Sequence, residues 1–298
     1  MERQIISKNI LWTFVLLQVA CLFSCNNSKK TIYVNSFEKG TFGYDLYDLL
    51  KKDSNLIVLK GDGNQSQIII SPRYQAKVFA STAIGLSGPS LGYVSYNLLD
   101  TEQIFPNGCA LEYITTESWK VGFENSKNVV LRKKTEINSY QGNYLKLGIE
   151  RKISLIERPE IAFGLSVQLQ PDVKAVGYET YDVITNLNDF EWAKETCVIC
   201  LWMLDMYKQD SHTNTNIPSR VRMNGGKTET VAGNYNSDMK ELTITTFENA
   251  PQAVFLKPAQ SMSAKHSVYH FIGEEQCLNP IVQKVFGIST DDIKNLKI

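Results

Sequence analysis

From Ser118 to Ile272 the chain alternates short runs rich in Val, Ile, Thr, Tyr and Phe with turn-forming pairs, and nothing between them keeps a helical apolar repeat over any length. Such runs at short, regular intervals form β-strands, and the intervening turns fold them back on one another. Strands are expected over residues 119–124, 128–137, 143–156, 161–169, 173–186 and 195–206. Further strands are expected over 218–223, 228–233, 240–247, 252–257 and 265–272. Asn125-Ser126, Gln141-Gly142, Pro171-Asp172, Asn224-Gly225-Gly226 and Ser237-Asp238 are the punctuation. A chain built this way becomes an all-β sandwich or a closed sheet system.

The flanks are different. Phe42, Leu46, Leu49 and Leu50 keep helical spacing behind Thr41, a residue suited to cap a helix, so a short helix is expected over 42–52. Leu56–Leu59 and Gln67–Ile70 surround Gly61-Asp62-Gly63-Asn64 and predict a hairpin, and Gln75–Ser81 predicts another strand. A glycine- and serine-containing loop follows over 82–92. Short helices over 279–286 and 290–296 close the chain.

The first 25 residues give an address. Arg3 and Lys8 precede an apolar run from Leu11 to Phe23, too short for a comfortable membrane span, and Leu22-Phe23-Ser24 leads to Cys25. This is the pattern of a bacterial lipoprotein: residues 1–24 a signal peptide, Cys25 the acylated mature N-terminus, 25–40 a polar tether and 41–298 a single β-sandwich. The lipid would hold the protein to a membrane of the cell envelope. Because the tether lacks an acidic run, it would face the periplasm rather than the cell surface. Without Arg3, Lys8 and Glu2, the 31 basic and 31 acidic side chains become 29 and 30. That balance gives no electrostatic reason for nucleic-acid binding. Hydrophobic residues at 43% and charged residues at 21% suit a globular domain rather than a disordered one.

The chemical motifs are weak once placed on this framework. Cys197 and Cys200 make a C-x-x-C on an expected buried strand, where positions three apart face opposite ways at ~10 Å, beyond the ~7 Å reach of a disulfide. With Cys109 and Cys277 they make an even number, which leaves the disulfide state open. Gly88-Pro89-Ser90-Leu91-Gly92 matches the nucleophile elbow G-x-S-x-G, but no strand enters it and no helix leaves, so it reads as a tight surface loop. His266 and His270 would share a metal on a helix; on a strand their rings stand ~13 Å apart, so no metal or other cofactor is expected. His212, in a polar loop, reads as solvated. A sugar ligand would want aromatic rings for its C–H faces and polar groups for its hydroxyls. Arg73, Trp192, Glu195 and Trp202 have that chemistry, although core positions explain both tryptophans equally well.

Ser71-Pro72-Arg73-Tyr74-Gln75-Ala76-Lys77-Val78-Phe79-Ala80-Ser81-Thr82-Ala83, continued by Gly88–Tyr93, resembles a known family. Thr185-Asn186, Trp192, Lys194-Glu195-Thr196 and Leu201-Trp202-Met203-Leu204 add to the match. Together they resemble the uncharacterised envelope lipoproteins of Bacteroidetes with a galactose-mutarotase-like β-sandwich. The resemblance implies a large two-sheet sandwich, short peripheral helices and a concave face able to hold carbohydrate. It places Arg73, Asn186, Glu195 and Trp202 as candidate ligand contacts. Aldose mutarotases resemble T-N-H-x-Y-F where this chain has Thr185-Asn186-Leu187-Asn188-Asp189-Phe190, so their catalytic histidine falls at Leu187. Mutarotation needs an acid and a base, and leucine is neither. The leading expectation is therefore a carbohydrate-binding lipoprotein. The alternatives are a sugar-active epimerase or lyase relative using Glu195 as base and His270 as acid, and a ligand-free structural lipoprotein.

Overall fold

A computed structural model describes residues 36–94, 118–138, 142–196, 199, 215–222, 228–247 and 255–295. Helix α1 (Phe42–Leu50) is capped by Thr41, whose hydroxyl accepts from the Tyr44 N–H at 3.3 Å. Strands β1 (Ile57–Lys60), β2 (Gln67–Ser71) and β3 (Lys77–Thr82) form a three-stranded antiparallel sheet in the order β1-β2-β3. β4 (Lys120–Glu124), β5 (Asn128–Asn138), β6 (Tyr144–Ile156) and β7 (Lys174–Asn186) form one meander. β8 (Thr215–Arg222), β9 (Thr228–Asn236), β10 (Glu241–Phe247) and β11 (Ser261–Ile272) form a second. They join into one eight-stranded antiparallel sheet, β4-β5-β6-β7-β11-β10-β9-β8. α2 (Arg158–Gly164) follows β6, and α3 (Glu275–Phe286) and α4 (Thr290–Asn295) follow β11.

Strand alternation decides what each face meets. Ile68 and Ile70 of β2 pack with Val129, Leu131, Ile149 and Ile153 of the large sheet, so the small sheet lies on its inner face. Ile69 points the other way, into a cluster with Phe42 and Leu49 of α1. β2 is thus apolar on both sides, which is why it reads as an unbroken Ile-Ile-Ile run. On the outer face of the large sheet, Leu242, Ile244 and Phe271 pack against Leu278, Ile281 and Val282 of α3 and Ile293 of α4. At one end Lys127 of the β4–β5 turn pairs with Glu157 and, at 2.9 Å, with Asp62 of the β1–β2 turn. That ties the hairpin to the large sheet.

The elements follow the sequence pattern with informative exceptions. The segment expected as strand 161–169 holds α2 instead: Pro159 occupies its first turn, where a proline costs no hydrogen bond. Ile161 is buried while Phe163 is 88% exposed, so the alternation of apolar residues did not mark a strand face. α3 begins at Glu275 rather than near Pro280, which it carries inside. For 252–257 only Leu256 pairs, in an isolated bridge with Trp192, and residues 252–254 lie outside the described residues. Of 195–206, Glu195 and Thr196 are in a turn and Ile199 in a bridge; the rest, with Cys197, Cys200 and Trp202, lies outside the described residues, as do Cys109 and His212. Cys277 is a free, half-buried thiol on α3.

Tyr235 of β9 is 1% exposed beneath α3, and its hydroxyl has no hydrogen-bond partner among the described residues. Burial, with the negative charges of Glu275, Asp291 and Glu274, pushes its pKa up to about 12. Below pH ~10 the hydroxyl is neutral folded and unfolded; from pH ~10 to ~12 only the unfolded chain gives up the proton, so stability falls as pH rises through that window. Tyr235→Phe should remove this alkaline loss, up to ~2 kcal/mol, and be neutral or stabilising at pH 7 because a buried unpaired hydroxyl disappears. Melting both proteins at pH 7, 9 and 11 checks this; equal slopes would contradict it.

Candidate functional site

The inner face of the large sheet has two parts. Under the small sheet it is largely apolar, except where β5, β6 and β7 break phase: Lys133 and Thr135 of β5 are buried between Leu131 and Ile137. Arg151 stands between Ile149 and Ile153, and Thr180 and Asp182 stand between Tyr178 and Ile184. Arg151 faces Asp182 across the strands, and their contact is forked: Nε to Oδ1 at 2.6 Å and Nη2 to Oδ2 at 3.2 Å. The two side chains are 14% and 4% exposed. Nη1 of Arg151 also donates to the carbonyls of Gln75 and Ala76, at 3.2 and 3.4 Å, and the guanidinium lies 5.7 Å from the centre of the Trp119 ring.

Beyond β7 the inner face continues as a polar strip. Thr180 sits opposite His266 in register, and both are buried. The Thr180 hydroxyl has no hydrogen-bond partner among the described residues. Two positions further along each strand, Tyr178 lies opposite Val268. Its ring centre is 6.5 Å from that of His270. Nδ1 of His270 is 2.8 Å from the Thr243 hydroxyl on β10, which fixes the imidazole's orientation in the strip. Past Thr243 the strip reaches solvent: Thr245 and Asn234, on the same face by register, are half-buried, and Ala232 is exposed. Thr180, His266, His270 and Thr243 are 1–2% exposed and back the strip from within, so the hydrogen-bonding positions a ligand could reach are at its open end, at Asn234 and Thr245. Of the charges on this face, Arg151 and Asp182 pair with each other and Glu241, beside Thr243 on β10, accepts from the Thr243 hydroxyl at 3.5 Å, so the chemistry suits a polyhydroxylated ligand.

The residues picked out from sequence are scattered over this face. Arg73 lies on the turn above Arg151, donating to the Lys52 carbonyl at 3.1 Å with its guanidinium 5.4 Å from the Tyr74 ring centre. Asn186 is 0% exposed and works inside the fold: its amide donates to the carbonyls of Phe190 (2.9 Å) and Leu256 (2.8 Å), and its oxygen accepts from the Asn188 N–H. It is a loop fastener, not a surface a ligand could touch. Glu195 is exposed in the turn after β7, beside Thr196, whose carbonyl takes a hydrogen bond from Asn143 at the start of β6. His270 pairs with Val176 at the opposite end of β7. Ten residues of strand, ~33 Å, separate the two ends, so Glu195 and His270 do not form the acid–base pair expected of them. Trp192 is fully buried, its indole N–H bonded to Asn188 at 3.0 Å: the core reading holds for it. Trp202 lies outside the described residues.

His266 and His270 do lie on a strand, four residues apart on one face, the spacing that keeps their rings from a common ion. The Gly88–Gly92 segment is tight but not on the surface. Ser90 is buried, donating to the carboxylate of Asp45 on α1, and Leu91 pairs with Ser81. Gly92 is required there: its φ is +143°, and a Cβ would come within 2.5 Å of the Phe79 carbonyl oxygen. The serine fastens α1 to the small sheet, which explains the motif without catalysis. Sequence reasoning passes over Thr180, Thr243, Arg151 and Asp182, and weighs His266 only as half of a metal pair. Their signal was available: each is a polar residue in phase with the apolar positions of its strand.

No curated protein matches this chain. Among solved structures, a galactose mutarotase related enzyme from Lactobacillus acidophilus aligns at 6% identity, over 72% of this chain and 97% of its own, with a TM-score of 0.41. The Slr1438 protein from Synechocystis sp. PCC 6803 aligns at 10% identity, over 73% of this chain and 96% of its own, with a TM-score of 0.45. A family profile matches residues 40–111, 101–249 and 245–297, nearly everything after the expected tether. The chain therefore belongs to DUF6786, a family of unknown function.

Proposed function

We propose that this protein is an envelope lipoprotein, anchored through Cys25, that binds a neutral carbohydrate along the polar strip of its large sheet. The observation that carries this reading is the buried polar row Thr180, His266, His270 and Thr243, which leads out to half-buried Asn234 and Thr245 at the open end of the strip, where a ligand would sit. Burying a polar group costs free energy unless it gains a partner; the Thr180 hydroxyl has none among the described residues, and a hydroxyl of a bound sugar would supply one. Tyr178 adds an aromatic ring beside them. Binding is favoured over catalysis because the carboxylates of the strip are engaged, Asp182 by Arg151 and Glu241 by the Thr243 hydroxyl at 3.5 Å. The basic start, apolar run and Cys25 support the anchor.

A thermal-shift panel of neutral mono- and oligosaccharides tests the binding. A ligand at 100 times its Kd stabilises the folded state by ~2.7 kcal/mol. That is a rise of several degrees for a domain of this size. The shift should vanish in His270→Ala. A flat response across the panel would sink the binding reading, and a Cys25→Ala protein still found in the membrane fraction would sink the anchor.

A further inference from the structure

Gln75 and Ala76, which close the turn between β2 and β3, have φ of +61° and +53°. Two successive non-glycine residues in the left-handed region are strained, and such strain persists only where the surroundings impose it. Here the imposing group is visible. Nη1 of Arg151 donates to the carbonyls of both strained residues while its other edge grips Asp182. Ser71 holds the near side of the turn, its hydroxyl donating to buried Asp53 at 2.5 Å and accepting from the Tyr74 N–H at 3.0 Å. The Lys77 N–H closes the far side on the Tyr74 carbonyl at 3.1 Å.

We infer that Arg151 is a positioning residue: it keeps the Ser71–Lys77 turn in its strained shape, one guanidinium away from Asp182, as a preset wall beside the polar strip. Four features support this. The guanidinium is planar and can fork in two directions at once. Trp119 covers one of its faces. Asp182 is two residues from Thr180 on the same strand face, which puts the turn at the margin of the strip. The turn itself, Ser71-Pro72-Arg73-Tyr74-Gln75-Ala76-Lys77, carries two successive left-handed residues whose carbonyls both accept from Arg151. In its role for a ligand the inference rests on the binding reading above; in its role on the turn it does not.

Hydrogen exchange of the full chain tests it. Arg151→Lys keeps a cation for Asp182 but cannot reach a carboxylate and two carbonyls together. Exchange of the Tyr74 and Lys77 amides should accelerate at least tenfold more than exchange at the centres of β6 and β7. Equal acceleration at turn and strands, or none at the turn, would overturn the proposal. If Arg151→Lys does not fold, the pair Arg151→Met with Asp182→Leu, which leaves no lone buried charge, gives the same comparison. Affinity is the second arm. Any saccharide that shifts the wild type should bind at least tenfold more weakly to the lysine variant, and unchanged affinity would remove the wall role. If no saccharide shifts the wild type, the binding reading fails while the exchange result still decides what Arg151 does to the turn.

Discussion

Asp182→Leu should lower the unfolding free energy by about 3–5 kcal/mol, because it strands the Arg151 guanidinium in a buried setting with no counter-charge. The side chains are 14% and 4% exposed, and the contact is a two-point fork, so water does little to screen the lost partner. The same substitution combined with Arg151→Met should recover at least about 2 kcal/mol of that loss, since no lone charge remains. Recovery should fall short of complete because the Gln75 and Ala76 carbonyls lose their donor, and unpaired buried acceptors cost ~1–3 kcal/mol. Urea denaturation of the two single variants and the double closes the cycle. A single-variant cost under 1 kcal/mol would mean that the pair is solvated and cannot hold the turn.

Trp192→Ala should be about as damaging, costing ~3–5 kcal/mol, the range for emptying a large aromatic site. Trp192 has no exposure and sits in the cluster between the two sheets. Its loop is fastened by Asn188, whose side-chain oxygen accepts from the indole N–H at 3.0 Å and from the Lys146 N–H at 2.9 Å. The isolated bridge with Leu256 then joins this loop to the segment entering β11. At roughly 2–4 °C per kcal/mol for a domain of this size, the melting temperature should fall by about 10 °C. Trp192→Phe, which keeps most of the volume and loses the N–H, should cost less than half as much. A tryptophan lying in a sugar groove would give the opposite result, with little change in melting temperature.

The fold was legible where two physical signals agreed. Thr41 supplied a capping hydroxyl and Phe42, Leu46 and Leu49 an apolar stripe, and α1 formed there. β5, β6, β7 and β10 fell within a residue or two of their expected bounds, because alternation and turn pairs marked both ends. Legibility failed at residues 161–169, where alternating Ile161, Phe163, Leu165, Val167 and Leu169 imitated a strand while Pro159 marked a helix start. The candidate site was harder. Asn186, Glu195 and Arg73 stand out by residue type and by their place in the family match, and neither says which way a side chain points. Thr180, Asp182 and Arg151 become conspicuous only when the phase of each strand is compared with its neighbours, and that comparison needs the register.

The order of the eight strands has a consequence for how the chain is made. Each meander, β4–β7 and β8–β11, pairs neighbours in sequence, but the two halves meet only through β7 and β11. β11 is the last strand to be synthesised, and it fills the middle of the sheet. Until it emerges, β7 and β10 each present an unpaired edge, the kind of surface that recruits other strands. A chain truncated before residue 261 would keep both edges permanently, so Ser261–Ile272 decides between a joined sheet and an aggregation-prone pair of halves. Pairings this distant in sequence also close slowly, and until β11 has joined them the open edges of β7 and β10 can pair with other copies of the chain.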